Sequence, residues 1–130
     1  MDILIIDDDP VSVFLAKLLI SGARVFKTVI TYENPVGALS FIQAQLPQGL
    51  LPKVILLDIN MPLIDGWQLL ESLKADQFLL HGKCLIYMLT SSTDISDVDR
   101  ARQHPLVTDI IFKPLTLQTV HKIYEHAVSN

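Results

Sequence analysis

The sequence predicts an α/β fold, a doubly wound sheet of five parallel strands arranged as a (βα)5 three-layer sandwich. Short apolar runs alternate five times with longer amphipathic segments, which is the pattern of β-α units in series. The runs are continuously apolar, as expected of parallel strands buried on both faces. Of the 130 residues, 50% are hydrophobic and 18% are charged, so the chain is too apolar to be disordered. Its length predicts one domain over residues 1–130.

The first strand–helix unit is the clearest. Residues 3–6 form a short, branched apolar run, and residues 10–22 follow with apolar side chains at helical spacing. Asp9 is placed to cap this helix, Pro10 suits its first position and Gly22 suits its end. The recurring apolar residues are Val13, Phe14, Leu18 and Leu19.

The second and third units follow the same plan. Residues 25–31 predict the second strand, and Asn34-Pro35 opens a helix that runs to about residue 46. The third strand, residues 54–57, ends at Asp58. A loop and Asp65-Gly66 then lead into a third helix, which turns three leucines inward: Leu69, Leu70 and Leu73.

The last two units complete the sheet. Residues 84–89 predict the fourth strand, and Asp94 caps a short polar helix that Pro105 ends. Residues 107–112 predict the fifth strand. Thr116 then caps a final helix.

Four of the five predicted strands end in polar residues that apolar packing does not require. In open parallel sheets, ligands bind beyond the carboxyl ends of the strands, where the strand order reverses. A flavodoxin-like order 2-1-3-4-5 makes strands one, three, four and five neighbours, and these are the four strands concerned. The residues are Asp7, Asp8, Asp58, Thr90 and Lys113.

The charges of these residues indicate their chemistry. Three carboxylates in one pocket repel one another unless a cation offsets them. Oxygen ligands without His or Cys suit Mg²⁺, or Mn²⁺, rather than zinc. A carboxylate can also act as a nucleophile and form an aspartyl-phosphate. The ammonium of Lys113 and the hydroxyl of Thr90 would then stabilise the phosphoryl oxygens.

Four motifs resemble the receiver domain of two-component response regulators, in particular its single-domain, chemotaxis-regulator-like members. Each motif alone is weak, but their order and spacing together are specific. They are Ile3-Leu4-Ile5-Ile6-Asp7-Asp8-Asp9-Pro10, Leu57-Asp58-Ile59-Asn60-Met61-Pro62 through Asp65-Gly66, Leu89-Thr90-Ser91, and Phe112-Lys113-Pro114.

The resemblance implies a phosphoacceptor and a metal site. Asp58 would accept the phosphoryl group. Asp8 would bind Mg²⁺ directly, Asp7 mostly through water, and Asn60 through its backbone carbonyl. The side chains of Asn60 and Ser92 stand where the family tunes the lifetime of the phosphorylated form, and neither is a carboxylate or an amine.

The resemblance also implies a switch. Thr90 would supply the switch hydroxyl, and Lys113 would pair with Asp58 and later with its phosphate. The Lys113-Pro114 bond resembles the cis peptide of the family. The family usually has Tyr or Phe three residues before the lysine, but Ile110 occupies that position here, so aromatic gating is not expected in its usual form.

Composition excludes several other classes. The net charge of −4 gives no general attraction to nucleic acid or to anionic membranes. No basic leader or apolar run of spanning length is present, which favours a cytoplasmic protein. Cys84 lies in an apolar run and is expected to be a buried thiol. The histidines lack metal-ligand spacing and are expected at the surface: His81, His104, His121 and His126.

Two alternatives differ from the phosphorylated receiver. A phosphatase with an aspartate nucleophile would need a second aspartate where Asn60 stands. A receiver-like interaction module that is independent of phosphorylation would not need the acidic pair. A receiver is not an enzyme beyond catalysing its own phosphorylation and dephosphorylation.

The resemblance implies protein partners. A sensor histidine kinase or a histidine phosphotransfer protein would donate the phosphoryl group, docking along helix 1 near Val11, Phe14 and Leu15. A downstream protein would bind the face of helix 4, strand 5 and helix 5. Direct nucleic-acid or membrane binding is not expected, and the output partner and a homodimer are left open.

Overall fold

A computed structural model describes residues 1–76, 80, 82–91 and 95–129. The strands in these residues are β1 (Asp2–Ile6), β2 (Thr28–Tyr32), β3 (Val54–Asp58), β4 (Leu85–Thr90) and β5 (Asp109–Phe112). The α-helices are α1 (Pro10–Ala23), α2 (Pro35–Gln45), α3 (Gly66–Leu73), α4 (Ile95–Gln103) and α5 (Leu117–Ser129). The predictions made for His81, Ser92 and Asp94 lie outside the described residues.

The strands form one parallel sheet in the order β2-β1-β3-β4-β5, which confirms the predicted flavodoxin-like topology. All five residues of β3, the central strand, are buried. Cys84, just before β4, is buried as predicted, and burial raises the pKa of its thiol to about 12. The strand order therefore brings the ends of β1, β3, β4 and β5 side by side.

Apolar layers cover both faces of the sheet, which confirms the three-layer arrangement. Alternate residues of the strands turn to opposite faces, so Ile55 and Leu57 pack with α2 and α3, while Val54 and Leu56 pack with α1 and α5. Each of these four side chains is almost fully buried. The body of the sheet is thus wholly apolar, and polar chemistry is confined to its ends.

Side chains cap the helices as the sequence predicts. The Oδ1 atom of Asp9 accepts a hydrogen bond from the N–H of Val11 at 3.0 Å, and Oδ1 of Asn34 accepts one from the N–H of Val36 at 2.9 Å. A reciprocal capping box opens α3 at Asp65. These caps fix where α1 and α3 begin, immediately beyond the carboxyl ends of β1 and β3.

Helix α1 differs from the prediction in its buried face and in its end. Val13 is buried, but Phe14 and Leu18 are exposed. Apolar side chains surround most of this helix, so their spacing predicts a helix without showing which face is inward. The left-handed residue that ends the helix is Arg24, with φ 56°, rather than Gly22.

Strands β2 and β5 begin later than predicted. Phe26 lies before β2, and its buried ring packs edge to face against Tyr124 with centroids 5.8 Å apart. The residues before Asp109 form a turn after α4 rather than strand. Apolar composition alone does not separate these residues from the strands that they precede.

The surface prediction is wrong for His104 and correct for His121 and His126. The side chain of His104 is 9% exposed, and its ring centroid lies 6.3 Å from that of buried Trp67. Its Nδ1 accepts a hydrogen bond from the N–H of Leu106 at 3.2 Å. His104 therefore acts as a packing residue at the end of α4.

Candidate functional site

The sheet register places the predicted polar residues at one edge. Asp58 is the last residue of β3 and pairs with Leu89, so it lies one position before the level of Thr90 on β4. Thr90 pairs with Phe112, the residue before Lys113. Asp7 directly follows β1, which neighbours β3. Parallel pairing therefore brings together residues that are far apart in the sequence.

Three carboxylates converge at this edge. One carboxylate oxygen from each of Asp7, Asp8 and Asp58 lies within 4.8 Å of the other two. Asp7 is 1% exposed and Asp58 is 6% exposed, while Asp8 is half-buried. The predicted clustering of these three residues is confirmed.

Lys113 is the cation that faces the cluster. Its Nζ lies 2.7 Å from Oδ2 of Asp7, within hydrogen-bond distance, and 3.6 Å from Oδ1 of Asp58. The family resemblance implies pairing with Asp58, but the shorter contact here is with Asp7. Lys113 thus bridges two carboxylates and leaves the contact with Asp58 loose.

The two buried carboxyl groups have opposite pKa shifts. Burial, and next the charge of Asp7, raise the pKa of Asp58 to about 7, although Lys113 opposes them. Burial would also raise the pKa of Asp7, but hydrogen bonds from Lys113, the backbone of Asp9 and Ser12 outweigh it and lower that pKa. Burial likewise opposes the charge of Lys113, yet its hydrogen bond to Asp7 and the two carboxylates raise its pKa. Asp7 and Lys113 are therefore a stable ion pair, and Asp58 carries the unfavourable charge.

The loop after Asp58 is held against the sheet. The N–H of Ile59 donates to the carbonyl of Leu89 at 3.0 Å, and the N–H of Gly66 donates to the carbonyl of Ile59 at 2.9 Å. Asn60, which lies between Ile59 and Gly66 in the loop, is exposed. Thr90 is fully buried, and its carbonyl accepts a hydrogen bond from the N–H of Lys113 at 2.8 Å.

The contributions of Gly66 and Ser12 to the site were not predicted from the sequence. A Cβ atom on Gly66 would lie 2.6 Å from the carbonyl oxygen of Asp58, so only glycine lets α3 start this close to β3. Ser12, in the first turn of α1, donates a hydrogen bond to Asp7. The glycine at the start of a helix was a usable signal, whereas the serine resembles any polar residue of a first helical turn.

The donor set fits a hard divalent cation. The three converging side chains offer only carboxylate oxygens, and Asp8 and Asn60 are at least partly exposed to solvent. Mg²⁺ favours oxygen ligands and keeps part of its water shell, which requires access to solvent. The raised pKa of Asp58, caused first by burial and then by the charge of Asp7, indicates that its charged form is unfavourable without a cation.

Comparison with known proteins shows the family of the chain. Residues 3–125 match the family described as the response regulator receiver domain. The chain belongs to this family. It is therefore a receiver domain of the two-component type, which takes part in phosphorelay signalling and is not a classical enzyme. The predicted cis Lys113–Pro114 peptide is present in this receiver.

Relatives of the receiver come from plants and bacteria. It is 27% identical over 128 residues to "Two-component response regulator ORR21" of Oryza sativa subsp. indica, which aligns with 98% of this chain. The receiver spans only 17% of the length of that relative.

Solved structures share the fold closely. A two-component response regulator from Cytophaga hutchinsonii has a TM-score of 0.93 and 27% identity, covering 99% of this receiver and 97% of that chain. A receiver protein from Dyadobacter fermentans has a TM-score of 0.87 and 25% identity, covering 98% of each chain. The chemotaxis protein CheY4 of Vibrio cholerae, with a TM-score of 0.77, 21% identity and 97% coverage of each chain, shows the fold alone. Among the described residues of this receiver, no helix is both long and apolar enough to cross a bilayer.

Proposed function

We propose that this receiver accepts a phosphoryl group on Asp58 from a phosphohistidine donor, with Mg²⁺ or Mn²⁺ bound beside it. The observation that carries the proposal is the cluster of three carboxylate oxygens within 4.8 Å, with Nζ of Lys113 at its edge. Three converging carboxylates, two of them buried and one half-buried, are unfavourable for folding alone, so a bound cation and a phosphoryl group supply the reason for them.

Asp7, Asp8, Asp58 and the backbone carbonyl of Asn60 would hold the ion. When bound, a divalent ion offsets the negative charge of the phosphoryl oxygens. An Asp58 oxygen attacks the phosphorus atom, a P–O bond forms, and the P–N bond of the phosphohistidine breaks with its electrons returning to the imidazole. The product is an acyl phosphate on Asp58.

Lys113 and Thr90 would receive the new phosphate. The loose contact of Lys113 with Asp58 allows its ammonium to turn to a phosphoryl oxygen while its hydrogen bond to Asp7 keeps it in place. Thr90 lies on the strand beside Asp58, so its hydroxyl would donate to another phosphoryl oxygen. This movement would carry the signal from β4 into α4 and β5.

We propose that this receiver acts in the cytoplasm and binds partner proteins through two surfaces. Exposed Val11, Phe14 and Leu15 lie in the first two turns of α1, which begins two residues after Asp8, and this supports docking of a sensor histidine kinase or a histidine phosphotransfer protein there. Exposed Ile95 and Phe112 lie on the face of α4, β5 and α5, which supports binding of a downstream protein. Neither surface requires nucleic acid, and homodimerisation through the second face is left open.

Intact-mass measurement after incubation with acetyl phosphate tests the chemistry. With Mg²⁺ we expect the mass of a single added phosphoryl group, and without Mg²⁺ or in Asp58→Asn we expect none. An interaction module that is independent of phosphorylation would bind Mg²⁺ weakly and gain no mass. Sustained hydrolysis of small phosphate esters would instead favour a phosphatase.

A further inference from the structure

Helix α4 is held in place by few apolar contacts. Its sequence is largely polar, and within the range Ile95–Gln103 only Ala101 is buried. Ile95, at the start of the helix, is 73% exposed. A helix of this length is marginal in water by itself, so packing against the rest of the domain must fix its position. The contacts between α4 and α3 therefore matter more than they would for a helix with a wide apolar face.

These contacts centre on the indole ring of Trp67 in α3. The guanidinium carbon of Arg100 lies over this ring, 4.7 Å from its centroid, which is the geometry of a cation–π interaction. His104 is four residues further along the chain and packs on the same indole with ring centroids 6.3 Å apart. We call Trp67, Arg100 and His104 the indole clamp.

The indole clamp buries polar atoms unfavourably. Nε1 of Trp67 is buried and has no hydrogen-bond acceptor among the described residues. Nδ1 of His104 accepts from the N–H of Leu106, so the neutral ring carries its proton on Nε2, which lies 3.5 Å from Oε1 of Glu71, at the limit of a hydrogen bond. Burial lowers the pKa of His104, although Glu71 opposes it, and this favours the neutral ring. Buried donors without good acceptors destabilise the contact, so it is only weakly stable.

The indole clamp is joined to the phosphoacceptor through the backbone. Trp67 directly follows Gly66, whose N–H donates to the carbonyl of Ile59 at 2.9 Å. A Cβ atom on Gly66 would lie 2.6 Å from the carbonyl oxygen of Asp58, so the start of α3 is in close contact with the end of β3. A displacement of the backbone at Asp58 therefore displaces the indole as well.

We infer that the indole clamp holds α4 against α3 before phosphorylation and opposes the conformational change that follows it, an inference that rests on the proposed function. In the arrangement described, Lys113 pairs with Asp7 more closely than with Asp58, so docked α4 accompanies a site whose lysine has not turned to a phosphate. A shift of the backbone at Asp58 moves the indole from beneath Arg100, releases α4 and gives the buried donors access to water. A contact that stabilises one state weakens binding of any ligand that requires the other.

The fluorescence of Trp67 tests the movement, because Trp67 is the only tryptophan of the chain. The probe is trifluoroberyllate, which mimics an acyl phosphate, added to the receiver at saturating Mg²⁺. As it binds, we expect the emission of Trp67 to shift to longer wavelength and its quenching by acrylamide to rise, since the indole loses Arg100 and gains water. Asp58→Asn should show neither change.

Matched variants test the coupling, with the Kd for trifluoroberyllate measured by fluorine NMR. Arg100→Gln removes the cation from the indole, so the Kd should fall about two- to fivefold, the factor that corresponds to an exposed cation–π contact. Arg102→Gln makes the same change of charge at an exposed position of the same helix and should leave the Kd unchanged. In a Trp67→Leu background, Arg100→Gln should have no further effect.

An unchanged or higher Kd in Arg100→Gln would overturn the inference, as would an equal fall in Arg102→Gln. A lowered Tm of Arg100→Gln with an unchanged Kd would show that the contact serves stability alone, which also overturns it. Constant emission from Trp67 while trifluoroberyllate binds would have the same meaning. Failure of the wild type to bind trifluoroberyllate would instead refute the proposed function.

Discussion

The apolar residues of β3 and the aspartate at its carboxyl end have opposite effects on the stability of the fold. Residues Val54–Leu57 are buried, apolar and packed on both faces, and each contributes to stability. Asp58, the next residue of the same strand, is nearly as buried, but burial and the charge of Asp7 disfavour its charged form. Truncation of any of the first four residues of β3 should therefore lower the free energy of unfolding, whereas neutralising the fifth residue, Asp58, should raise it. The first effect reports on the sheet and the second on the site.

The largest effect is expected at Lys113, on the site side of this comparison. Lys113→Gln removes the ammonium 3.6 Å from Asp58, and loss of one such charge should slow labelling by acetyl phosphate about 100-fold. The initial rate of mass gain measures it. Lys122→Gln, an exposed lysine on α5, is the control and should label normally. Labelling of Lys113→Gln at the wild-type rate would show that Lys113 does not take part in the phosphorylation of Asp58.

In the body of the strand, Leu56→Ala should reduce stability without preventing phosphorylation of Asp58. Leu56 is fully buried between α1 and α5, so its truncation should lower the free energy of unfolding by about 2–5 kcal/mol. Urea unfolding measures the loss, and Leu50→Ala at an exposed position should change it by less than about 0.5 kcal/mol. Below its melting temperature, Leu56→Ala should still be labelled on Asp58.

At the end of the strand, Asp58→Asn should stabilise the metal-free protein. With a pKa raised from 3.8 to about 7, folded Asp58 keeps a proton that the unfolded chain has released, so wild-type stability should fall as pH rises from about 4 to about 7. Asp58→Asn should lose this slope and gain on the order of 1–3 kcal/mol at pH 8. Asp7 acts in the opposite sense, because its lowered pKa stabilises the protein above its usual range and that contribution is lost as pH falls.

Thermal unfolding in EDTA between pH 4.5 and 8 measures the effect. Added Mg²⁺ should stabilise the wild type more than Asp58→Asn. If Asp58→Asn unfolds at a lower temperature than the wild type throughout this range, the Asp58 carboxylate does not destabilise the metal-free protein.

The smallest effect concerns Asp9, which lies beside the acidic cluster without belonging to it. Asp9→Ala should cost about 1 kcal/mol of stability by removing the cap of α1. The Mg²⁺ affinity should stay within about twofold of the wild type by calorimetry, since a cap is not a ligand. Asn34→Ala, which removes the cap of α2, is the matched control. A large loss of Mg²⁺ affinity in Asp9→Ala alone would make Asp9 part of the metal site.

Much of this architecture follows from patterns that the sequence displays directly. Continuous apolar runs predict parallel strands, and the strand order then predicts that Asp7, Asp58 and Lys113 meet at one edge. Such patterns depend on residue type and spacing alone. The helix caps at Asp9 and Asn34 belong to the same class.

Other features depend on distances that residue types do not fix. The preference of Lys113 for Asp7 over Asp58 follows from where two strand ends and one flexible side chain meet. The left-handed conformation of Leu63, with φ 70°, could not be predicted, because leucine normally avoids it. The burial of His104 depends on its contact with Trp67 from another helix.

A crystal structure of the receiver with Mg²⁺ and trifluoroberyllate, a mimic of the acyl phosphate, tests the central claim most directly. We expect the beryllium on an Asp58 oxygen, the ion held by Asp8, Asp58 and the Asn60 carbonyl, and Lys113 and Thr90 on the fluorine atoms. An ion bound elsewhere, or an Asp58 that carries no beryllium at saturating trifluoroberyllate, would contradict the account.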